Sequence, residues 1–142
     1  MRDPNCIFCK IIAGEIPSKK VYEDESVLAF LDINPANVGH ALIIPKNHYP
    51  TIISIPEDDL FNLSKVIRKL SSVMRETMNA DGLNVFQANG SVAGQVIPHL
   101  HFHLIPRFKD DGIMFGWPKK QAGEEEMEEV RKKLAEKAGY RG

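Results

Sequence analysis

Long apolar runs are missing from this sequence. Stretches such as Ala41-Leu42-Ile43-Ile44 fall far short of the roughly 20 residues that a membrane-spanning helix needs. The segment Met1-Arg2-Asp3-Pro4-Asn5-Cys6 lacks the apolar region of a secretory signal. A surplus of either charge is missing too. The 18 Lys and Arg stand against 19 Asp and Glu, a formal net charge of −1, so no global field gathers nucleic acid or an anionic membrane surface. Cysteine is scarce: only Cys6 and Cys9 occur, and their C-x-x-C spacing reads as a metal knuckle or a redox pair before a structural disulfide. No internal repeat or low-complexity tract is evident. Together these absences predict a cytoplasmic protein with neither membrane nor nucleic-acid partners.

What is present fits one globular domain. With 142 residues, 43% hydrophobic and 26% charged, the chain can bury roughly two thirds of its unfolded surface. Apolar positions at Ile7, Phe8, Ile11 and Ile12 predict a short helix closed by Gly14. Lys20–Glu23 and Val27–Leu31, on either side of Asp24-Glu25, predict a hairpin. Asn34-Pro35-Ala36-Asn37 reads as a loop, and residues 39–44 as a third strand ended by Pro45. Leu60, Leu63, Ile67, Leu70, Met74 and Met78 recur at helical period behind Pro56 and three acidic residues, which predicts a long helix over 56–79. Residues 83–87 and the segment from His99 read as fourth and fifth strands. Residues 124–138 read as a terminal helix with Met127, Val130, Leu134 and Ala138 on one stripe. Short connections between consecutive strands, with one long helix inserted, indicate an α+β fold built on an antiparallel sheet.

Three of the five histidines fall in His99-Leu100-His101-Phe102-His103. On a strand, residues two apart share a face at a spacing of about 7 Å. The imidazoles would then line one face, with Leu100, Phe102 and Leu104 on the other. A row of imidazoles is a poor core, because each buried nitrogen needs a partner. A metal site and a catalytic row are the competing readings. The Gly-rich segment Asn89-Gly90-Ser91-Val92-Ala93-Gly94-Gln95 favours catalysis, since such loops turn backbone N–H groups toward an anion. A phosphate beside a nucleophile is the reading that joins the two.

The stretch Gly94–Ile105 resembles the motif of the histidine triad (HIT) family, His-φ-His-φ-His-φ-φ with φ apolar. Phe8-Cys9-Lys10-Ile11-Ile12, Ala29-Phe30-Leu31-Asp32-Ile33 and Gly39–Lys46 match it in order and spacing. The resemblance covers about residues 5–108. It implies a HIT-like α+β fold with about five antiparallel strands, one long helix and one or two short ones, in a homodimer whose sheets join. It also divides the chain into a HIT domain over 1–108 and an extension over 109–142, packed on the same domain or on the dimer partner.

By the same resemblance, His101 is the nucleophile that attacks the α-phosphorus of a purine nucleotide and carries the nucleotidyl group. The His99 carbonyl sets its tautomer. His103 meets the phosphate or leaving group, His40 hydrogen-bonds within the site, and Gln95 contacts a phosphate oxygen. Asp32 holds the ribose, Phe8, Ile16, Phe30 and Ile33 wall the base pocket, and Asn89 stands in for an Asn or Gln that relatives often carry where this chain has Ala88. Zinc-containing microbial relatives imply a structural zinc on Cys6, Cys9, His48 and His99, with the cysteines as free thiols the alternative. Val96 replaces a frequent Ser or Thr. The expected activity is that of an AMP-phosphoramidase-like nucleotide hydrolase or nucleotidyltransferase. A dinucleoside polyphosphate hydrolase and a nucleotide-binding adaptor are the rivals, with a zinc-carrier or redox protein further off. Gly116-Trp117-Pro118 is expected either to cover a neighbouring subunit's site or to pack against its own helix.

Overall fold

Periodicity decides the element types. In the computed structural model, which describes residues 1–142, the short apolar segments are strands and the long repeat of period 3.6 is a helix. The order is α1 (Ile7–Ile12), β1 (Lys20–Glu23), β2 (Val27–Leu31), β3 (Ala41–Pro45), α2 (Glu57–Met78), β4 (Gly82–Phe86), a 3₁₀ turn at Ser91–Ala93, β5 (Phe102–Arg107) and α3 (Glu124–Ala138). The five strands form one sheet in the order β1-β2-β3-β5-β4, and every pairing is antiparallel.

The sheet separates two apolar layers. On one face Val27, Ala29, Ile43 and Leu104 pack with Leu63, Val66 and Leu70 of α2. On the other, Leu28, Phe30, Leu42 and Ile44 pack with Phe8, Cys9, Ile11 and Ile12 of α1. Strand β3 is therefore buried along its whole length and β2 along all but Leu31. This explains why both read as continuous apolar runs rather than as alternating ones. Helix α2 starts behind Pro56 with Glu57, Asp58 and Asp59 in its first turn, and stops where Asn79 turns left-handed at φ 52°. Gly39 sits at φ 101°, and a Cβ there would lie 3.1 Å from the Met78 methyl, so the turn that delivers His40 to the sheet is built for glycine.

One expectation is corrected. The histidine segment is not a strand from its first residue: β5 begins at Phe102, and His99 and His101 precede it. Pro98 has no N–H, the Leu100 N–H goes to the Tyr49 carbonyl, and the Pro45 carbonyl takes the His99 imidazole at 2.9 Å. The β3–β5 ladder therefore stops at the Ile43–Phe102 pair. The start of the extension packs on the domain, where Phe115 lies against Phe86 and Arg107 and the Asp111 carboxylate binds Arg107 and Asn37, whereas its helix stands apart. No residue of α3 is buried, Met127, Val130 and Leu134 are 54%, 49% and 67% exposed, and Trp117 is 83% exposed rather than covered by the helix. No helix is long and apolar enough to cross a membrane.

Candidate active site and metal centre

Register carries His103 to the site. It pairs with Leu42 on one side and Phe86 on the other, so it lies on the sheet face that also presents Phe30. His101, just before the strand, turns to the same side. Its ring lies 5.0 Å from that of His103 and 5.2 Å from that of Phe8 on α1. Leu100 and Leu104 point the other way, into the α2 layer. The alternation expected of a strand thus survives although the strand itself starts later.

Hydrogen bonds fix each ring's tautomer. The Nδ1–H of His101 donates to the His99 carbonyl at 2.6 Å, which leaves the Nε2 lone pair free. The Nδ1 of His40 accepts from the Ala36 N–H at 3.0 Å, so its proton is on Nε2. That proton points to Nδ1 of His103 at 2.9 Å, which leaves the His103 proton on Nε2. A nucleophilic nitrogen and an N–H donor therefore stand side by side. Asp32, His40 and His103 also lie close enough together to suggest a metal site. The Ala36 N–H argues against that reading: a metal on His40 Nε2 would require a proton on Nδ1, where a second donor already points.

Burial pulls His40 and His101 below the ordinary histidine range, against the favourable charge of Asp32 and, for His101, the bond to the His99 carbonyl. Burial, aided by His101 and His40, brings His103 to about 4. The site is an array of neutral imidazoles at neutral pH.

A cavity of about 430 Å³ opens beside these rings, lined by Phe8, Ile16, Phe30, Asp32, Ile33, His101 and His103 among others. Those seven had been expected in a nucleotide site. Asp32 is the one charged carboxylate or cation in the lining, and no Lys or Arg joins it. An anion held here must rely on N–H donors. Asn89 and Gln95 do not line the cavity. The Gln95 amide donates to the Pro50 carbonyl at 2.6 Å and accepts from the Gly90 N–H at 2.7 Å, while Asn89 pairs with Gln87 and accepts from the Ile52 N–H. Both side chains brace the Gly-rich loop, in which Gly90 and Gly94 adopt φ of 90° and 100°.

A second cluster lies behind the triad. Cys6, Cys9, His48 and His99 bring one ligand atom each within 4.8 Å of one another. His99 Nδ1 is 3.3 Å from Cys6 Sγ, 3.6 Å from Cys9 Sγ and 3.1 Å from His48 Nδ1, and Cys9 Sγ is 3.5 Å from His48 Nδ1. A tetrahedral metal with thiolates at about 2.3 Å and imidazoles at about 2.0 Å would set such pairs roughly 3.3–3.8 Å apart. The His99 Nε2–H is spent on Pro45, so its Nδ1 presents a lone pair to the cluster. The four residues could hold a metal ion with no open position.

Comparison with known proteins shows the family. The HIT domain family model matches residues 13–110. The chain belongs to the HIT family. It is 50% identical over 128 residues to an uncharacterized HIT-like protein of Methanocaldococcus jannaschii, covering 89% of this chain and 98% of that one. It is 44% identical over 138 residues to an adenosine 5'-monophosphoramidase of Candida albicans, covering 93% of this chain and 90% of that one. The crystal structure of SMU.412c from Streptococcus mutans superposes with a TM-score of 0.90 at 38% identity, covering 96% of this chain and 87% of that one. A Zn-bound histidine triad family protein from Mycobacterium smegmatis reaches 0.74 at 33% identity, covering 95% and 96%.

Sequence reasoning missed the clip that holds the His40 loop. The Asp111 carboxylate takes two bonds from Arg107, one each from the Phe108 and Ile113 N–H groups, and one from Asn37 Nδ2, which also donates to the Pro106 carbonyl. Asn37 in turn accepts the His40 N–H. A lone Asp in Asp110-Asp111-Gly112 resembles any turn, and only the fold brings Asn37 to it.

The neutral histidines predict acid lability. The unfolded chain binds protons on histidine near pH 6.5, whereas folded His103 does so only near 4. Folding therefore holds fewer protons between those values, and the stability present above about pH 6.5 is lost as pH falls toward 4. Thermal unfolding should show Tm falling over that window, and His103→Asn should flatten the slope. An unchanged slope in the variant would contradict the burial argument.

Proposed function

We propose that the protein is an AMP-phosphoramidase-like nucleotide hydrolase or nucleotidyltransferase that works through a covalent nucleotidyl-His101. One observation carries this reading: the 2.6 Å bond from His101 Nδ1–H to the His99 carbonyl, which leaves Nε2 unprotonated at the edge of an apolar cavity. The adenosine 5'-monophosphoramidase named among the relatives supports the reaction class.

In this reading the base lies among Phe8, Ile16, Phe30 and Ile33, and Asp32 accepts from the ribose hydroxyls. The phosphate then lies against the His101–His103 edge and the Gly94 backbone. His101 Nε2 attacks the α-phosphorus, forming a P–N bond as the bond to the leaving group breaks and its electron pair departs with the leaving atom. The His103 Nε2–H, oriented through His40 and Ala36, faces that atom. Water then displaces His101 and releases the monophosphate. With no cation in the lining, charge on the phosphate oxygens is met by fixed N–H dipoles. Gln95 and Asn89 act here by holding the loop's shape, in place of the direct phosphate and nucleotide contacts expected of them. The intact relay favours catalysis over a nucleotide-binding adaptor.

We read the Cys6, Cys9, His48 and His99 cluster as a structural zinc site. When bound, the ion supplies a cross-link between the N-terminal segment, the loop after β3 and the residues just before β5, and takes no part in the reaction. The Zn-bound mycobacterial relative supports zinc over free thiols. We further read the protein as a cytoplasmic homodimer joined at β4, an edge strand with Val85 52% and Phe86 41% exposed. Residues 1–108 form the HIT domain and 109–142 the extension.

Two measurements test these readings. Reaction with adenosine phosphoramidate quenched in denaturant at alkaline pH, where a P–N bond survives, should trap a nucleotidyl adduct on His101, and His101→Ala should lower turnover by at least about 10³-fold. Near-normal turnover in that variant would end the covalent mechanism. Protein purified without added metal should hold close to one zinc per chain, and its removal should lower Tm. Two freely titrating thiols with no metal would overturn the zinc site.

A further inference from the structure

Ser18 carries the one buried side-chain polar atom in the chain without a hydrogen-bond partner. Its Oγ is shut from solvent and bonds nothing, although buried polar groups are ordinarily paired and an unpaired one works against folding. The residue also lines the nucleoside cavity. The wall contributed by the N-terminal segment is otherwise Ile7, Phe8, Ile11, Ile16 and Pro17, so Ser18 is the single polar side chain in it. The other non-histidine polar side chains of the lining are Asp32 and Asn34. They belong together at the far end of β2, where Asp32 Oδ1 accepts the Asn34 N–H at 2.9 Å. An apolar wall can hold a base by its faces, but it cannot distinguish one polar edge from another.

We propose that Ser18 reads the base: its Oγ accepts a hydrogen bond from the exocyclic amino group of adenine when a nucleotide fills the cavity. The inference rests on the adenosine reading above and deepens it. Rotation about χ1 moves a serine hydroxyl between staggered positions without disturbing the backbone, so the hydroxyl can swing from the wall to meet the base. The orphaned group then has its reason. It costs stability in the empty protein and gains its partner from the ligand.

Binding of AMP and of purine-riboside 5'-monophosphate, which lacks the amino group, tests this in the full-length protein by calorimetry. The wild type should bind AMP about 3- to 10-fold more tightly, the span of one neutral hydrogen bond. In Ser18→Ala the ratio should fall to near one, mainly through loss of AMP affinity. The Tm of that variant without nucleotide should be no lower than the wild-type value, because no protein partner is lost. A ratio that persists in the variant, a wild type that prefers neither nucleotide, or a variant with lowered Tm would each overturn the proposal. Failure of the wild type to bind either nucleotide would overturn it together with the adenosine reading, whereas equal binding of both would overturn the role of Ser18 alone.

Discussion

The hydrogen bond from His101 Nδ1 to the His99 carbonyl, 2.6 Å long, ties the molecule together. It joins two centres through a single peptide group. His99 offers its ring to the Cys6, Cys9 and His48 cluster and its carbonyl to His101, so whatever holds the His99 ring also aims the unprotonated nitrogen of His101. A tautomer is a discrete choice. Were the proton of His101 on Nε2, the nitrogen facing the cavity would be a donor without a lone pair, and no adjustment of distance would restore the nucleophile.

The fold exists to hold that peptide still. Leu100, fully buried in the α2 layer, anchors one side of it, and the Leu100 N–H bond to Tyr49 anchors the other. The Pro45 carbonyl at the end of β3 fixes the far edge of the His99 ring. His40 approaches from a separate loop, clipped through Asn37 to Asp111, and completes the orientation of His103. The cost is a group of buried polar rings, His40, His99 and His101, in place of apolar packing. Only the continuous network of partners makes that burial tolerable, and the same burial keeps the rings neutral.

Much of this was legible in the residue pattern, and the rest was hidden for physical reasons. Strands β2 and β3 and helix α2 follow from apolar periodicity, which reports local geometry directly. The alternation His99-x-His101-x-His103 put the rings on one face, yet the strand boundary was misplaced because the competition for the Pro45 carbonyl is a long-range event. The grouping of Cys6, Cys9, His48 and His99 could be named from the family resemblance because the residue types and spacings are restrictive. Gln95 and Asn89 showed the opposite problem. Their polarity marked them for a ligand, but an amide that serves a loop looks the same in sequence as one that serves a phosphate. Asn37, Asp111 and Ser18 carry no sequence signal at all, since each acquires its meaning from neighbours distant along the chain.

The most direct test of the central link is the protonation state of the His101 ring. Nitrogen-15 NMR of imidazole-labelled protein should show a neutral ring near pH 7 with the proton on Nδ1 and a pyridine-like Nε2. That signal should broaden or split when His48 of the Cys-His cluster is replaced by alanine, since the His99 peptide is then less firmly held. A proton on Nε2 of His101 in the intact protein would contradict the account, because the nitrogen assigned to attack would have no electron pair to offer.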